Sequence, residues 1–130
     1  MNYTVIVPFY NEAKNISSFN YELINNLKKI DNGKRNLEII YVDDGSSDET
    51  FNELKKLSIN TVETLIIKHR TNLSQSAAIN TGIGQSKYEN IVIMDGDLQN
   101  DPNDLAKMVS EFEKGTDMLI GWRKHRKDNF

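Results

Sequence analysis

The sequence predicts a three-layer α/β fold, a mainly parallel sheet with helices on both faces. Three observations carry that prediction. Short β-branched runs alternate with longer segments of helical period. The strand-like runs are continuously apolar rather than alternating, as expected where helices cover both faces of a sheet. The unusual polar clusters all fall at the ends of those runs.

In chain order, "YTVIV" is the first predicted strand and ends at Pro8. "ISSFNYELINNLKKI" follows, with Ile16, Phe19, Leu23, Ile24, Leu27 and Ile30 at spacings that form one apolar helix stripe. "LEIIYV" is the second strand. It breaks at "DDGSSDET", where Ser46 and Glu49 have capping-box spacing for a helix running to the region of Leu57. "TLIIK" predicts the third strand, "QSAAINTGIG" a helix ending in glycine, and "NIVIM" the fourth strand. In "NDPNDLAKMVSEFEKG", Asp101 can cap a helix with Pro102 at its first position, and Gly115 closes it before "DMLIG". With 130 residues and 38% apolar content, residues 1–130 suffice for one core and are too few for two ordinary domains.

Composition excludes several classes. The absence of cysteine rules out a disulfide scaffold and a zinc-thiolate site and fits a reducing, cytoplasmic setting. No apolar stretch approaches the roughly 20 residues needed to cross a bilayer, and "MNYTVIVPFYNE" has neither a basic leader nor a cleavage site. A net charge of −3 argues against a general nucleic-acid-binding surface, although "WRKHRKDNF" carries four Arg or Lys. Such a basic end can make peripheral contact with anionic lipid at the cytoplasmic face of a membrane, weakly, because it lacks a long apolar face.

In open parallel sheets the ligand crevice lies beyond the carboxyl ends of the strands. "PFYNE", "DDGSSD" and "DGDLQND" follow strands one, two and four, so three polar clusters share one rim. Asp, Asn, Gly and Ser are also what turns and helix caps use. The paired carboxylates Asp43 with Asp44 and Asp95 with Asp97, none followed by a basic residue, weigh against that simpler account. Two like charges about 4 Å apart repel by up to roughly 4 kcal/mol at an effective dielectric near 20, and a cation relieves this. Mg²⁺ or Mn²⁺ takes oxygen ligands and binds through one or two carboxylates plus substrate phosphates. Asp95, Asp97 and Gln99 alternate along an extended segment and can face one side. The chain lacks GxxxxGK[ST] and GxGxxG, so neither a P-loop nor a dinucleotide fingerprint holds the phosphates. Neither His69 nor His125 lies in a cluster that reads as a catalytic base, and His69 is expected at the surface or in packing.

Together "VIVPFYNEAKNI", "IIYVDDGSSDET", "SQSAAINTGI", "IVIMDGDLQNDP" and "LIGWRKHRKD" resemble family 2 glycosyltransferases of the Rossmann-like GT-A fold. Within them the likeness is greatest to polyprenyl-phosphate glycosyltransferases of the dolichol-phosphate mannose synthase type, and it runs from Tyr3 to Asp128. It implies inverting transfer of a hexose from a nucleotide diphosphate sugar, GDP-mannose or UDP-glucose, to a lipid-linked phosphate with Mg²⁺ or Mn²⁺. It also implies nucleotide-sugar contacts at Pro8, Tyr10, Glu12, Val42, Asp44, Asp95, Gly96 and Asp97, with metal ligands at Asp97 and Gln99. Catalytic roles fall to Asp95, Asp97 and Arg123, the last beside the transferring sugar and acceptor phosphate. Such an acceptor needs no general base, because a phosphate monoester, with a second pKa near 6, is already nucleophilic.

Two departures from the family pattern stand out. "HRTNLSQSAA" lacks the glycines that many relatives place before the third helix, and the chain ends at Phe130 where relatives continue. An alternative reading is therefore a catalytically incomplete nucleotide-sugar-binding fragment, whose uncovered surface would promote homo-oligomers. A sugar-nucleotide-forming transferase ranks last, because "PFYNEAKN" offers no glycine-rich loop with a Lys or Arg.

Overall fold

The computed structural model describes residues 1–31, 35–57, 61–96 and 104–115. Strand β1 spans Tyr3–Phe9 and β2 spans Leu37–Asp43; their registers pair Tyr3 with Leu37 through Phe9 with Asp43. β3 covers Glu63–Lys68 on the far side of β2, and β4 covers Asn90–Ile93 on the far side of β1. The sheet is parallel throughout, in the order β3-β2-β1-β4. All four carboxyl ends therefore lie along one edge.

Helices α1 (Ile16–Ile30), α2 (Thr50–Lys55) and α4 (Leu105–Glu113) cover one face, and α3 (Gln75–Gln85) covers the other. The stripe read from the sequence is the buried face of α1: Ile16, Phe19, Leu23, Ile24, Leu27 and Ile30 pack with Val5, Val7, Phe9, Ile39 and Tyr41. Leu54, Leu105 and Val109 extend this cluster from α2 and α4. A smaller cluster of Ile6, Ile40, Val42 and Ala78 fills the space beneath α3. Three layers with helices on both faces are thus present, as the continuous apolar runs required.

Three boundaries differ from the sequence reading. β1 continues through Pro8 to Phe9. Met94 N–H donates to Ile6 O, so alternate residues of β1 face β4, and Pro8 falls on that side beyond the last β4 partner, Ile93. The β1–β4 ladder therefore stops where proline has no N–H to give. The Ser46–Glu49 capping box does not form: α2 begins at Thr50 without a side-chain cap, and Ser46 Oγ instead accepts from Asn11 N–H at 2.8 Å. α3 runs through Gly84 to Gln85 rather than ending at the glycine. The last helix is described from Leu105, while Asp101, Pro102 and "DMLIG" lie outside the described residues. Gly115 does follow that helix with φ 111° and donates to Phe112 O. No helix among the described residues is long and apolar enough to cross a membrane.

Candidate functional site

The rim is built from the turns after β1, β2 and β4 and from the segment that leads into α3. After β1, Tyr10 stands 47% exposed, a large aromatic ring in solvent beside the crevice. Asn11 adopts φ 52°, a left-handed geometry that Asn tolerates better than most residues. Side chains stitch this turn to the one after β2. Asn11 Oδ1 accepts from Ser47 N–H at 2.9 Å, and Thr50 Oγ1 accepts from Glu12 N–H at 2.9 Å. Asp48 accepts from the Thr50 hydroxyl and amide. Burial opposes ionisation of Asp48, but the hydrogen bonds from Thr50 and Ala13 prevail and its pKa is lowered. Pro8 is buried, and Glu12 is half-buried with its carboxylate accepting from Asn15 Nδ2 at 2.7 Å.

Asp43 and Asp44 do not form a shared cation site. Successive residues of a strand face opposite sides. Asp43 turns toward the α1 side, where Oδ1 accepts from Ser46 N–H at 3.1 Å, and its Oδ2 is enclosed without a partner among the described residues. Asp44 turns toward α3 and is only 3% exposed. Its Oδ1 meets Leu73 N–H at 3.0 Å and His69 Nδ1 at 2.9 Å; its Oδ2 accepts from Asn72 Nδ2 at 2.9 Å and Ser74 N–H at 3.1 Å. A carboxylate offers about four acceptor positions. Protein groups already use them, so a nucleobase N–H reaching Asp44 would have to displace one. The side chain of Val42 is wholly enclosed in the cluster beneath α3.

Of the two places expected for His69, surface or packing, the structure shows the second. It is 9% exposed, and its Nε2 meets Thr81 Oγ1 at 2.8 Å, joining Asp44 to the second turn of α3. The β2–β3 register that ends at Asp43 opposite Lys68 places His69 next to Asp44, a relation visible only once the strands are paired. Gly45, with φ 72°, passes so close to the loop before α3 that a Cβ there would stand 2.2 Å from Thr71 C.

On the far side of the crevice, Asp95 is half-buried one residue beyond Met94. Its Oδ1 accepts from Gln75 Nε2 at 2.5 Å, a contact that no motif in the sequence announced. Gly96 lies against the Phe9 ring, and a Cβ on it would come within 2.1 Å of Phe9 Cε1. That contact explains why glycine separates the two aspartates. Asp97, Gln99 and Arg123 lie outside the described residues. Among the described residues no group of three or more His, Asp or Glu is arranged to hold a metal ion. The donors at this end of the rim are oxygens, there is no thiol in the chain, and His69 is turned into the Asp44 network. Such a set suits a hard divalent ion rather than a soft one.

The model of glycosyl transferase family 2 matches residues 4–130. Over 127 residues the chain is 37% identical to a dodecaprenyl-phosphate galacturonate synthase of Rhizobium johnstonii, covering 96% of this chain and 37% of that protein. It is 31% identical over 123 residues to a dolichol-phosphate mannosyltransferase of Pyrococcus furiosus, covering 95% of this chain and 33% of the relative. Among solved structures, a mannosyltransferase of Pyrobaculum calidifontis in complex with GDP-Man and Mn²⁺ superposes with a TM-score of 0.65 at 28% identity, over 82% of this chain and 31% of that one. The chain thus spans about a third of the length of the relatives it matches.

Proposed function

The chain belongs to glycosyl transferase family 2, and from that premise we propose that it is the nucleotide-sugar-binding part of an inverting hexosyltransferase acting on polyprenyl phosphate. The observation that carries the reading is the gathering of the β1, β2 and β4 carboxyl ends at one rim, with Tyr10 on one side and Asp95 on the other. The names of the two relatives, a dodecaprenyl-phosphate galacturonate synthase and a dolichol-phosphate mannosyltransferase, support the acceptor class. The GDP-Man and Mn²⁺ in the Pyrobaculum complex support the donor class and the cation.

In this reading Tyr10 offers its ring face to the base of GDP-mannose or UDP-glucose, with Pro8 and Glu12 bordering it. Asp44 serves the nucleotide end by fixing the wall formed by residues 69–74, and Val42, enclosed beneath α3, backs that wall. Asp95 meets donor hydroxyls beside Gly96, and Asp97 with the amide oxygen of Gln99 would hold the cation. A bound Mg²⁺ or Mn²⁺ would offset the charge that collects on the departing diphosphate. Arg123 steers the acceptor phosphate by charge-assisted hydrogen bonds. An acceptor phosphate oxygen attacks the anomeric carbon from the face opposite the diphosphate; one C–O bond forms as the other breaks, and the configuration inverts. The acceptor is already anionic, so no side chain need remove a proton, in keeping with the engagement of His69 elsewhere. Lipid-linked acceptors put the reaction at the cytoplasmic face of a membrane, reached by peripheral contact.

Calorimetric titration of GDP-mannose and UDP-glucose in Mn²⁺ and in EDTA tests this. One donor should bind in Mn²⁺, and Asp97→Asn should weaken that binding more than tenfold without unfolding the chain. Donor affinity indifferent to both EDTA and Asp97→Asn would overturn the metal assignment. Transfer of label from the bound donor to polyprenyl phosphate in a full-length counterpart tests the reaction itself.

A further inference from the structure

Gln75 is the first residue of α3 and lies at the rim, yet its side chain reaches across to the turn after β4. The 2.5 Å bond from Nε2 to Asp95 Oδ1 links two parts of the chain that share no strand pairing. We infer that Gln75 is a positioning residue that holds the Asp95 carboxylate in its donor-facing orientation. The inference rests on the reading of Asp95 as a donor contact.

A long, solvent-facing glutamine is a poor anchor unless its backbone is fixed, because ordering its side chain costs up to about 2 kcal/mol of rotamer entropy. Here the backbone is held from three directions. Leu73 and Ser74 donate their N–H groups to the two oxygens of Asp44. Asn72 Nδ2 donates to Asp44 O at 3.1 Å as well as to the carboxylate. Ser74 Oγ accepts from Ala77 N–H at 3.0 Å and so caps the helix on which Gln75 sits. Behind these, Gly45 seats the Thr71–Asn72 backbone, and His69 joins Asp44 to Thr81 within α3. The buried carboxylate after β2 therefore fixes the start of α3, and Gln75 carries that placement to the carboxylate after β4. The amide also suits the task chemically. It donates to a carboxylate while adding no charge beside a diphosphate, where a lysine would compete as a phosphate ligand.

A double-mutant cycle on the whole chain tests the inference. Gln75→Ala should weaken Mn²⁺-dependent donor binding about tenfold, or ~1.4 kcal/mol. Affinity for the free nucleoside diphosphate in EDTA should stay within about twofold. Gln75→Glu, which keeps the volume but brings a like charge to Asp95, should weaken donor binding further. In an Asp95→Ala background, Gln75→Ala should have no added effect, since it acts only through that carboxylate. Equal losses in the two backgrounds, or equal losses in Mn²⁺ and EDTA, would overturn the positioning role. So would an NMR signal of the Gln75 side-chain amide that Asp95→Ala leaves unmoved. That last measurement needs no ligand, so a wild-type chain that binds no donor would count against the functional reading while the Gln75–Asp95 contact is still judged.

Discussion

Glycine at three positions in this chain serves three different ends, and one substitution separates them. At Gly45, φ 72° and a Cβ placed 2.2 Å from the Thr71 backbone combine, so Gly45→Ala should cost roughly 2–4 kcal/mol in urea unfolding and loosen the segment that leads into α3. At Gly96 the obstacle is the Phe9 ring, which is itself packed edge-on against Phe19, and Gly96→Ala should cost about 1–3 kcal/mol. Gly84 lies within α3 with open space where a Cβ would go, and Gly84→Ala should stabilise by about 0.5–1 kcal/mol. Opposite signs at Gly45 and Gly84 in the same assay are the check. A reader of "DGD" alone sees a glycine between two carboxylates and thinks of the ligand. The ring that requires it comes from β1, far away in sequence, and only the folded chain brings it there.

Among the elements, the helix stripe of α1 and the four apolar strand runs were legible because each is specified by local spacing. Ends were less legible, because competing partners decide them. Ser46 had the spacing of a helix cap but bonds Asn11 instead, and His69 looked isolated until β3 paired with β2. The docking of α4 is a further case. Glu113 receives Arg35 Nε at 2.8 Å and Nη2 at 2.6 Å, and the Tyr3 hydroxyl at 2.6 Å, a clamp between the last described helix and the start of the sheet. The Arg35 hydrogen bonds first, and then that from Tyr3, hold the Glu113 pKa down to about 2. A depressed carboxylate pKa stabilises the fold above its unfolded value, near 4.3, and that stability is lost as pH falls toward 2. Partial exposure reduces the effect to about 1–2 kcal/mol. Glu113→Gln should therefore lower stability at pH 7 by that amount and flatten the fall between pH 5 and pH 2, as followed by circular dichroism. An unchanged acid limb would show that the clamp is solvated away.

For the molecule as a whole, layer number and strand direction followed from the sequence, but the coverage of each face did not. The α1 side is covered by three helices and the other side, among the described residues, by α3 alone. Registers place Leu65 and Ile93 on that second face, in line with Ile40 and Ile6, at opposite edges of the sheet, where they are 41% and 47% exposed. The chain should self-associate through these shoulders, and Leu65→Lys with Ile93→Lys should reduce association in sedimentation velocity without lowering helix content. A chain that stays monomeric at high concentration would refute this.

The central place of β1 also has a consequence in time. Tyr3 pairs with Leu37 on one side and with Asn90 on the other, so joining β4 to β1 closes more than twice the length of chain that joining β2 does. Closure entropy alone makes the longer step costlier by about 0.8 kcal/mol, and non-local parallel pairing is slow in general. The β1–β2 pair should form first and the turn bearing Asp95 should be completed last. Pulsed hydrogen exchange during refolding would then protect Ile40 and Val42 before Val92 and Met94, whose amides face β1. A newly made chain would pass through a state with its hydrophobic centre assembled and its crevice still open, Asp95 not yet within reach of Gln75.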